Sequence, residues 1–66
     1  MKFKTYKSYN MKIKLKDIEN NILKLKIKKM CIKDLQVNPT DDSIVVLHEN
    51  IATSIIIDGI EHFFIN

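Results

Sequence analysis

The chain has few of the residues that carry cofactor chemistry or covalent crosslinks. Its 66 residues include one Cys, one Gly and one Pro, and they include neither Trp nor Arg. A single Cys excludes an internal disulfide, and a single Gly excludes a glycine-rich phosphate loop. No Cys and His spacing indicates a zinc site, and no Ser, His and Asp arrangement indicates nucleophilic catalysis. These absences predict a protein that is not an enzyme and that uses no cofactor or metal.

Long apolar runs are also lacking. No stretch approaches the roughly 20 apolar residues of a membrane-spanning helix, and the first ten residues do not have the pattern of a signal peptide. The one thiol, Cys31, lies between Met30 and Ile32, which favours a buried, inert side chain in a reducing compartment. We therefore expect a cytoplasmic protein with no membrane partner.

Charge is divided unevenly along the chain. Residues 1–33 hold all 11 Lys against Asp17 and Glu19, a net charge of +9. Residues 34–66 hold six acidic residues and no Lys, a net charge of −6, so the two halves give the +3 of the whole chain. Such asymmetry is a hint about partners, which include nucleic acid, an acidic protein surface or the acidic half of a second copy.

The length predicts one small domain over residues 1–66. A basic β-hairpin half (1–37) is followed by a turn cluster (38–43) and by an acidic β-meander half (44–66). In the basic half, apolar residues alternate with Lys over 11–16 and again over 23–28, which is the period of a half-buried strand. A β-bulge after Lys28 would keep the following apolar residues on the buried face.

The acidic half predicts three strands, at about 43–48, 51–57 and 60–65. Asp58-Gly59 is a strong two-residue hairpin turn because both residues tolerate positive φ, and Glu49-Asn50 is a weaker one. Five strands with strong bends predict a mainly β protein, a small bent meander or barrel of the SH3-like or OB-like type. The alternative is an α+β fold with a helix over about 16–35, since several apolar residues there also fit helical spacing.

If a loop at Glu19-Asn20-Asn21 joins the first two strands, six ammonium groups share one face. Lys16 then lies opposite Lys24, with further Lys pairs on either side, and Tyr6 falls in the same phase. This predicts a surface that binds an anionic partner, although a solvated face that guards an edge against aggregation explains the pattern as well. The predicted anion-binding residues are Lys12, Lys14, Lys16, Lys24, Lys26, Lys28 and Tyr6.

Both faces of the C-terminal hairpin are apolar. A two-sided apolar sheet must be covered on both sides, and a 66-residue chain has little material for a second cover. Ile56, Phe63 and Ile65 are therefore predicted to form an interface with a protein partner or a second copy. The alternative is that the N-terminal strands and the loop over 34–43 cover this sheet.

Other chemistry-bearing residues fit structural roles better. His48 and His62 should lie roughly 15 Å apart in the predicted register, too far for a shared metal. Asp41-Asp42 follows Asn38-Pro39-Thr40, so these carboxylates fit turn and capping roles.

The leading hypothesis is a non-enzymatic interaction protein that docks on, and inhibits, a larger partner. Abundant Ile, Lys and Asn are typical of AT-rich coding DNA, as in a low-GC bacterium, its phage or another AT-rich genome, and the small size together with this composition suggests a phage or mobile element. The first alternative is a nucleic-acid-binding barrel with a Lys-rich face, whose lack of Arg predicts salt-sensitive contacts without sequence preference. The second alternative is an oligomer that binds a small anionic ligand, such as a nucleotide, between copies.

Overall fold

A computed structural model describes residues 10–64, which form one antiparallel sheet and one helix. The strands are β1 (Asn10–Lys14), β2 (Ile44–His48), β3 (Ile51–Ile57) and β4 (Ile60–Phe63), ordered β1-β2-β3-β4. A 3-10 turn (Leu15–Asp17) follows β1, and helix α1 (Asn21–Met30) continues into a π-helical turn (Cys31–Leu35). The fold is α+β, as the alternative reading predicted, and neither a fifth strand nor a barrel is present between residues 10 and 64.

Helix α1 begins at a well-formed cap. The Asn20 Oδ1 accepts hydrogen bonds from the backbone N–H groups of Ile22 (3.0 Å) and Leu23 (3.1 Å), which otherwise have no partner in the first turn. Two Lys in the last turn complement the negative end of the helix dipole. After the π-helical turn, Gln36 adopts a left-handed conformation (φ 58°) and ends the helical segment.

The predicted strand over residues 23–28 is wrong, and so is the bulge after Lys28. Lys24, Lys26 and Lys28 do not face the Lys residues of β1, because β1 pairs with β2 instead. The helix places Ile27 against the sheet and leaves Leu25 56% exposed. The sheet needs an apolar cover on one face, and the helix supplies it while two of its five apolar residues, Ile22 and Leu25, stay exposed.

The core lies between α1 and one face of the sheet. Four helix or turn residues meet four strand residues there, and all eight are buried: Leu15, Ile18, Ile27, Cys31, Val45, Leu47, Ile55 and Ile57. On β1 the odd positions point to this side and the even Lys positions point away, as the alternation predicts. Burying these side chains is worth roughly 1.5–3 kcal/mol each, which is the main stabilisation of so small a sheet.

The two hairpins of the acidic half match the prediction closely. Glu49 and Asn50 both have positive φ (54° and 68°), and so do Asp58 and Gly59 (52° and 81°). The second hairpin pairs Ile57 with Ile60 and continues residue by residue as predicted. Two-residue turns of this kind fix strand register locally, so both were readable from the sequence.

The first hairpin contains a bulge that the sequence did not reveal. Val46 pairs with Ser54 and Leu47 pairs with Ala52, so Thr53 is the extra residue in β3. The Thr53 hydroxyl donates to the Val46 carbonyl (3.3 Å), and the Thr53 carbonyl accepts from Phe64 N–H (3.0 Å). The bulge shifts the register by one residue, and this shift decides which β2 side chains enter the core.

The predicted turn cluster (38–43) forms hydrogen bonds with the residues that follow β1. Ser43 N–H donates to the Thr40 carbonyl (3.1 Å), and the Ser43 hydroxyl accepts from Thr40 N–H (2.9 Å). Leu15 N–H then donates to the Ser43 carbonyl (2.7 Å), and Lys16 N–H donates to the Asp41 carbonyl (3.1 Å). These bonds fix the 3-10 turn beside β2 and so hold β1 in its register.

Candidate interaction surfaces

The sheet has a second face, which points away from α1 and which no element between residues 10 and 64 covers. We call this surface the open face. Its residues are Lys12, Lys14, Ile44, Val46, Ser54, Ile56, Glu61 and Phe63. It presents an apolar centre with two ammonium groups along one edge strand and a carboxylate along the other.

The ladder pairing arranges the open face in two rows that cross all four strands. One row runs Lys14, Ile44, Ile56, Glu61, and the other runs Lys12, Val46, Ser54, Phe63. Val46 and Ser54, in the middle of the sheet, are almost fully buried, whereas Phe63 on the edge strand is 61% exposed. Ile44 and Ile56 are half-buried, so Phe63 is the one strongly exposed apolar side chain of the open face.

The acidic edge of the open face is held by a hydrogen bond. The Ser54 hydroxyl donates to the Glu61 carboxylate across 2.6 Å. A short bond from a hydroxyl to an ionised carboxylate is stronger than a bond between neutral groups. It satisfies the buried Ser54 hydroxyl and orients the Glu61 side chain on the surface of β4.

The predicted set of six Lys does not form one surface. Lys12 and Lys14 lie on the open face, whereas Lys24, Lys26 and Lys28 lie on α1, on the other side of the sheet. The physical reason is that residues 23–28 are helical, so their Lys residues are spread around a helix axis. The sequence prediction of one continuous basic face is therefore wrong.

The remaining predicted site residues have separate outcomes. Lys16 lies in the 3-10 turn, and its Nζ is 3.8 Å from the Asp42 Oδ1, in the one salt bridge found among the described residues. Both side chains are at least half exposed, so this pair contributes little to stability. Ile56 and Phe63 lie together on the open face as predicted. Tyr6 and Ile65 lie outside the described residues.

The outward side of α1 is a second surface. It carries Ile22 (79% exposed), Leu25 and, beyond the helix, Ile32 (60% exposed). The exposed Lys residues of this segment are Lys26, Lys29 and Lys33, whereas Lys24 and Lys28 are half-buried on its flanks. We call this surface the helix face. A basic helix with an apolar stripe is typical of elements that bind acidic partners.

The chain also has a shallow groove between α1 and the first hairpin. Its volume is about 270 Å³, and its walls include Leu23, Met30, Ile51 and Phe64. Lys26 is the one charged side chain among its lining residues. Asn50 and Thr53 also line the groove, so it combines apolar walls with three polar side chains, but its volume lies below the roughly 300–1,000 Å³ of typical small-molecule sites.

The chemistry-bearing residues are dispersed. Between residues 10 and 64, no three His, Cys, Asp or Glu side chains are grouped closely enough to hold a metal ion. Cys31 is fully buried in the core, and this burial raises the pKa of its thiol. A raised pKa keeps the thiol protonated and poorly nucleophilic at neutral pH, in line with the inert role that its apolar neighbours predicted.

Sequence reasoning missed half of the open face. Ile44 and Val46 were not singled out, because without the Thr53 bulge they fall on the same side as the core residue Ile55. The bulged residue is a Thr, which carries no turn signal, so nothing local indicates the shift. Lys29 and Lys33 were also missed, because they join the other Lys residues only on a helix.

Comparison with known protein families, with curated proteins and with solved structures found no match to this chain. Within residues 10–64 the helical segment is too short and too polar to cross a membrane.

Proposed function

We propose that this chain is a non-enzymatic interaction module whose open face docks on a protein. The observation that carries this proposal is the unequal covering of the sheet. One face is closed by α1, and the other carries the exposed Phe63 beside the half-buried Ile44 and Ile56, between charged edges. Apolar centres with polar rims are characteristic of protein-binding surfaces.

Several features of the open face suit a protein better than a small ligand. It is a sheet surface formed by four paired strands, not a concave pocket, and it carries an aromatic residue, Phe63, on its edge. Aromatic side chains are enriched among the residues that dominate binding energy. Docking on a larger protein is also a direct way to inhibit it, and we extend the proposal to that outcome.

The test is affinity capture of the full chain from cells of its source, with quantitative mass spectrometry of the recovered proteins. Two variants, Ile56→Thr and Phe63→Thr, remove apolar surface from the open face and keep a residue that favours strands. The matched controls, Ile22→Thr and Leu25→Thr, remove similar apolar surface from the helix face. Circular dichroism establishes that each variant is folded.

We expect the open-face variants to lose the partner that the wild-type chain recovers, by about tenfold or more, because interface centres are sensitive to truncation. The control variants should recover the partner at the wild-type level. The opposite pattern, with loss confined to the helix-face variants, would transfer the binding role to α1. Equal recovery by all five proteins would contradict a role for the open face.

A second candidate function is supported by the exposed Lys26, Lys29 and Lys33 of the helix face. No acidic residue lies between positions 20 and 33, and none of these three Lys forms a salt bridge in the part of the chain that is described. Such a surface would bind nucleic acid through phosphate contacts that weaken steeply with salt.

Labelled DNA and RNA, titrated at several salt concentrations, test this candidate. Lys26→Ser, Lys29→Ser and Lys33→Ser together should remove binding, whereas Lys12→Ser with Lys14→Ser should leave more of it. The absence of binding at low salt would exclude this candidate and would not affect the open face.

A further inference from the structure

The order of charges on the open face identifies a partner that fits it. We infer that the open face binds a second copy of this chain, in a two-fold symmetric dimer with the two sheets packed face to face. This inference rests on the proposed function, since it names the partner of the same surface. It follows from the positions of Lys14, Ile44, Ile56 and Glu61 in one row.

The two charges of this row cannot neutralise each other within one chain. Lys14 lies on edge strand β1 and Glu61 on edge strand β4, with β2 and β3 between them. Three inter-strand spacings separate them by roughly 14 Å. Each charge is exposed and available to a second molecule.

A two-fold axis parallel to the strands brings opposite charges together. This axis places β1 of one copy over β4 of the other, so Lys14 meets Glu61 of the second copy, and Ile44 meets Ile56. The contact is isologous, so every pair occurs twice. In the neighbouring row, Lys12 falls over the exposed ring of Phe63 from the second copy, where a cation and an aromatic face attract each other.

The alternative symmetric arrangement is disfavoured by charge. A two-fold axis running across the strands would place β1 over β1, and Lys12 of one copy would then face Lys14 of the other. Like charges brought together at an interface are costly.

The angle between the two sheets is compatible with the proposed dimer. Packed sheets prefer strands aligned within about 30°, and the long Lys side chains can reach across the displacement that this angle produces at the sheet edges.

The size of the open face sets the expected affinity. Four strands and two rows give a footprint of roughly 20 Å by 15 Å. This is well below the roughly 800 Å² per partner of a standard stable interface. We therefore expect a weak dimer, populated at chain concentrations of about 0.1–1 mM.

Sedimentation velocity over this concentration range, with exchanged charges, tests the pairing. Lys14→Glu and Glu61→Lys should each weaken self-association by more than about tenfold, because each variant places like charges together twice. An equimolar mixture of the two variants should restore association as a heterodimer, since both contacts then join opposite charges. The double variant, with both exchanges in one chain, should self-associate as the wild type does.

Two further variants control for net charge alone. Lys29→Glu and Asp34→Lys make the same changes in charge on the other side of the sheet, and they should dimerise as the wild type does. Glu61→Gln separates charge from the Ser54 hydrogen bond, because its amide oxygen still accepts that bond. It should weaken the dimer less than Glu61→Lys.

Three results would overturn the dimer: a wild-type chain that stays monomeric at 1 mM, single exchanges that associate normally, or a mixture that does not associate. Sheet pairing through the exposed edge strands would produce the second result, since it does not depend on these charges. Failure of the dimer remains distinguishable from failure of the proposed function. Partner capture at low micromolar concentration, where this chain is monomeric, would still be lost in Ile56→Thr and Phe63→Thr.

Discussion

Truncation of Ile27 is the most direct test of the way in which α1 covers the sheet. Ile27 is fully buried in the core and is the one fully buried side chain between Asn21 and Met30. Replacing a buried Ile by Ala removes about 2–5 kcal/mol of unfolding free energy, because transfer and cavity terms add. A chain of 66 residues has roughly 3–10 kcal/mol in total, at about 0.05–0.15 kcal/mol per residue. Ile27→Ala should therefore remove about half of the stability.

Leu25→Ala is the matched comparison, and it separates the helix from the strand that the alternation predicts. In a strand, positions 25 and 27 share a face, and both truncations would be costly. In α1, Leu25 is 56% exposed and points away from the core, so its truncation should change the unfolding free energy by less than about 0.5 kcal/mol. Ala is also a strong helix former, which offsets part of the lost contact.

The assay is urea unfolding at 25 °C, followed by far-ultraviolet circular dichroism, with wild type and both variants side by side. Ile27→Val supplies a milder step, of about 0.5–1.5 kcal/mol, in case the Ala variant is unfolded without urea. An equal loss for Leu25→Ala and Ile27→Ala would refute the helical placement. A negligible loss for Ile27→Val would show that the core is not built around this side chain.

Three further predictions concern the cap, a turn and the buried thiol. Asn20→Ala should cost about 1 kcal/mol in urea unfolding because two N–H groups lose their acceptor, and Asn20→Asp, which keeps an acceptor, should not. Gly59→Ala should lower the unfolding free energy, measured by thermal unfolding, by about 1–2 kcal/mol. The cause is the positive φ of 81° alone, since an added Cβ meets nothing within 4 Å. Gly59→Asn should lose less, and equal stability of Gly59→Ala and wild type would contradict this reasoning. Burial raises the pKa of the Cys31 thiol above its ordinary value of 9.0, so the folded protein holds this proton more tightly than the unfolded chain does. The resulting contribution to the unfolding free energy is fully present below pH 9.0 and is lost as the pH rises above that value. The urea midpoint should therefore fall more steeply from pH 8 to 10.5 in wild type than in Cys31→Ala, and parallel curves would exclude this linkage.

The sequence by itself determined the features that depend on neighbours along the chain. The Asp58-Gly59 and Glu49-Asn50 turns specify two hairpins through residues that tolerate positive φ, and the structure confirms both. The turn cluster and the alternation on β1 were also readable, because each needs only a few adjacent residues. Ile56 and Phe63 were assigned to one face correctly, since the tight turn between their strands sets that register.

Tertiary structure decided the rest, and the reason is distance along the chain. β1 pairs with β2, whose paired residues are 30 to 38 positions away, and this pairing leaves residues 21–30 free to form a helix instead of the strand that their own alternation favours. The apolar residues of 21–30 fit both periods, and the need to cover the sheet selects the helix, which separates the Lys residues into two surfaces. The Thr53 bulge likewise turns Val45 inward and Ile44 outward, because a shift of one residue moves a side chain to the opposite face. The sequence separates positive charge in the first half from negative charge in the second half. Only the pairing of the four strands puts Lys14 and Glu61 at opposite edges of the same face.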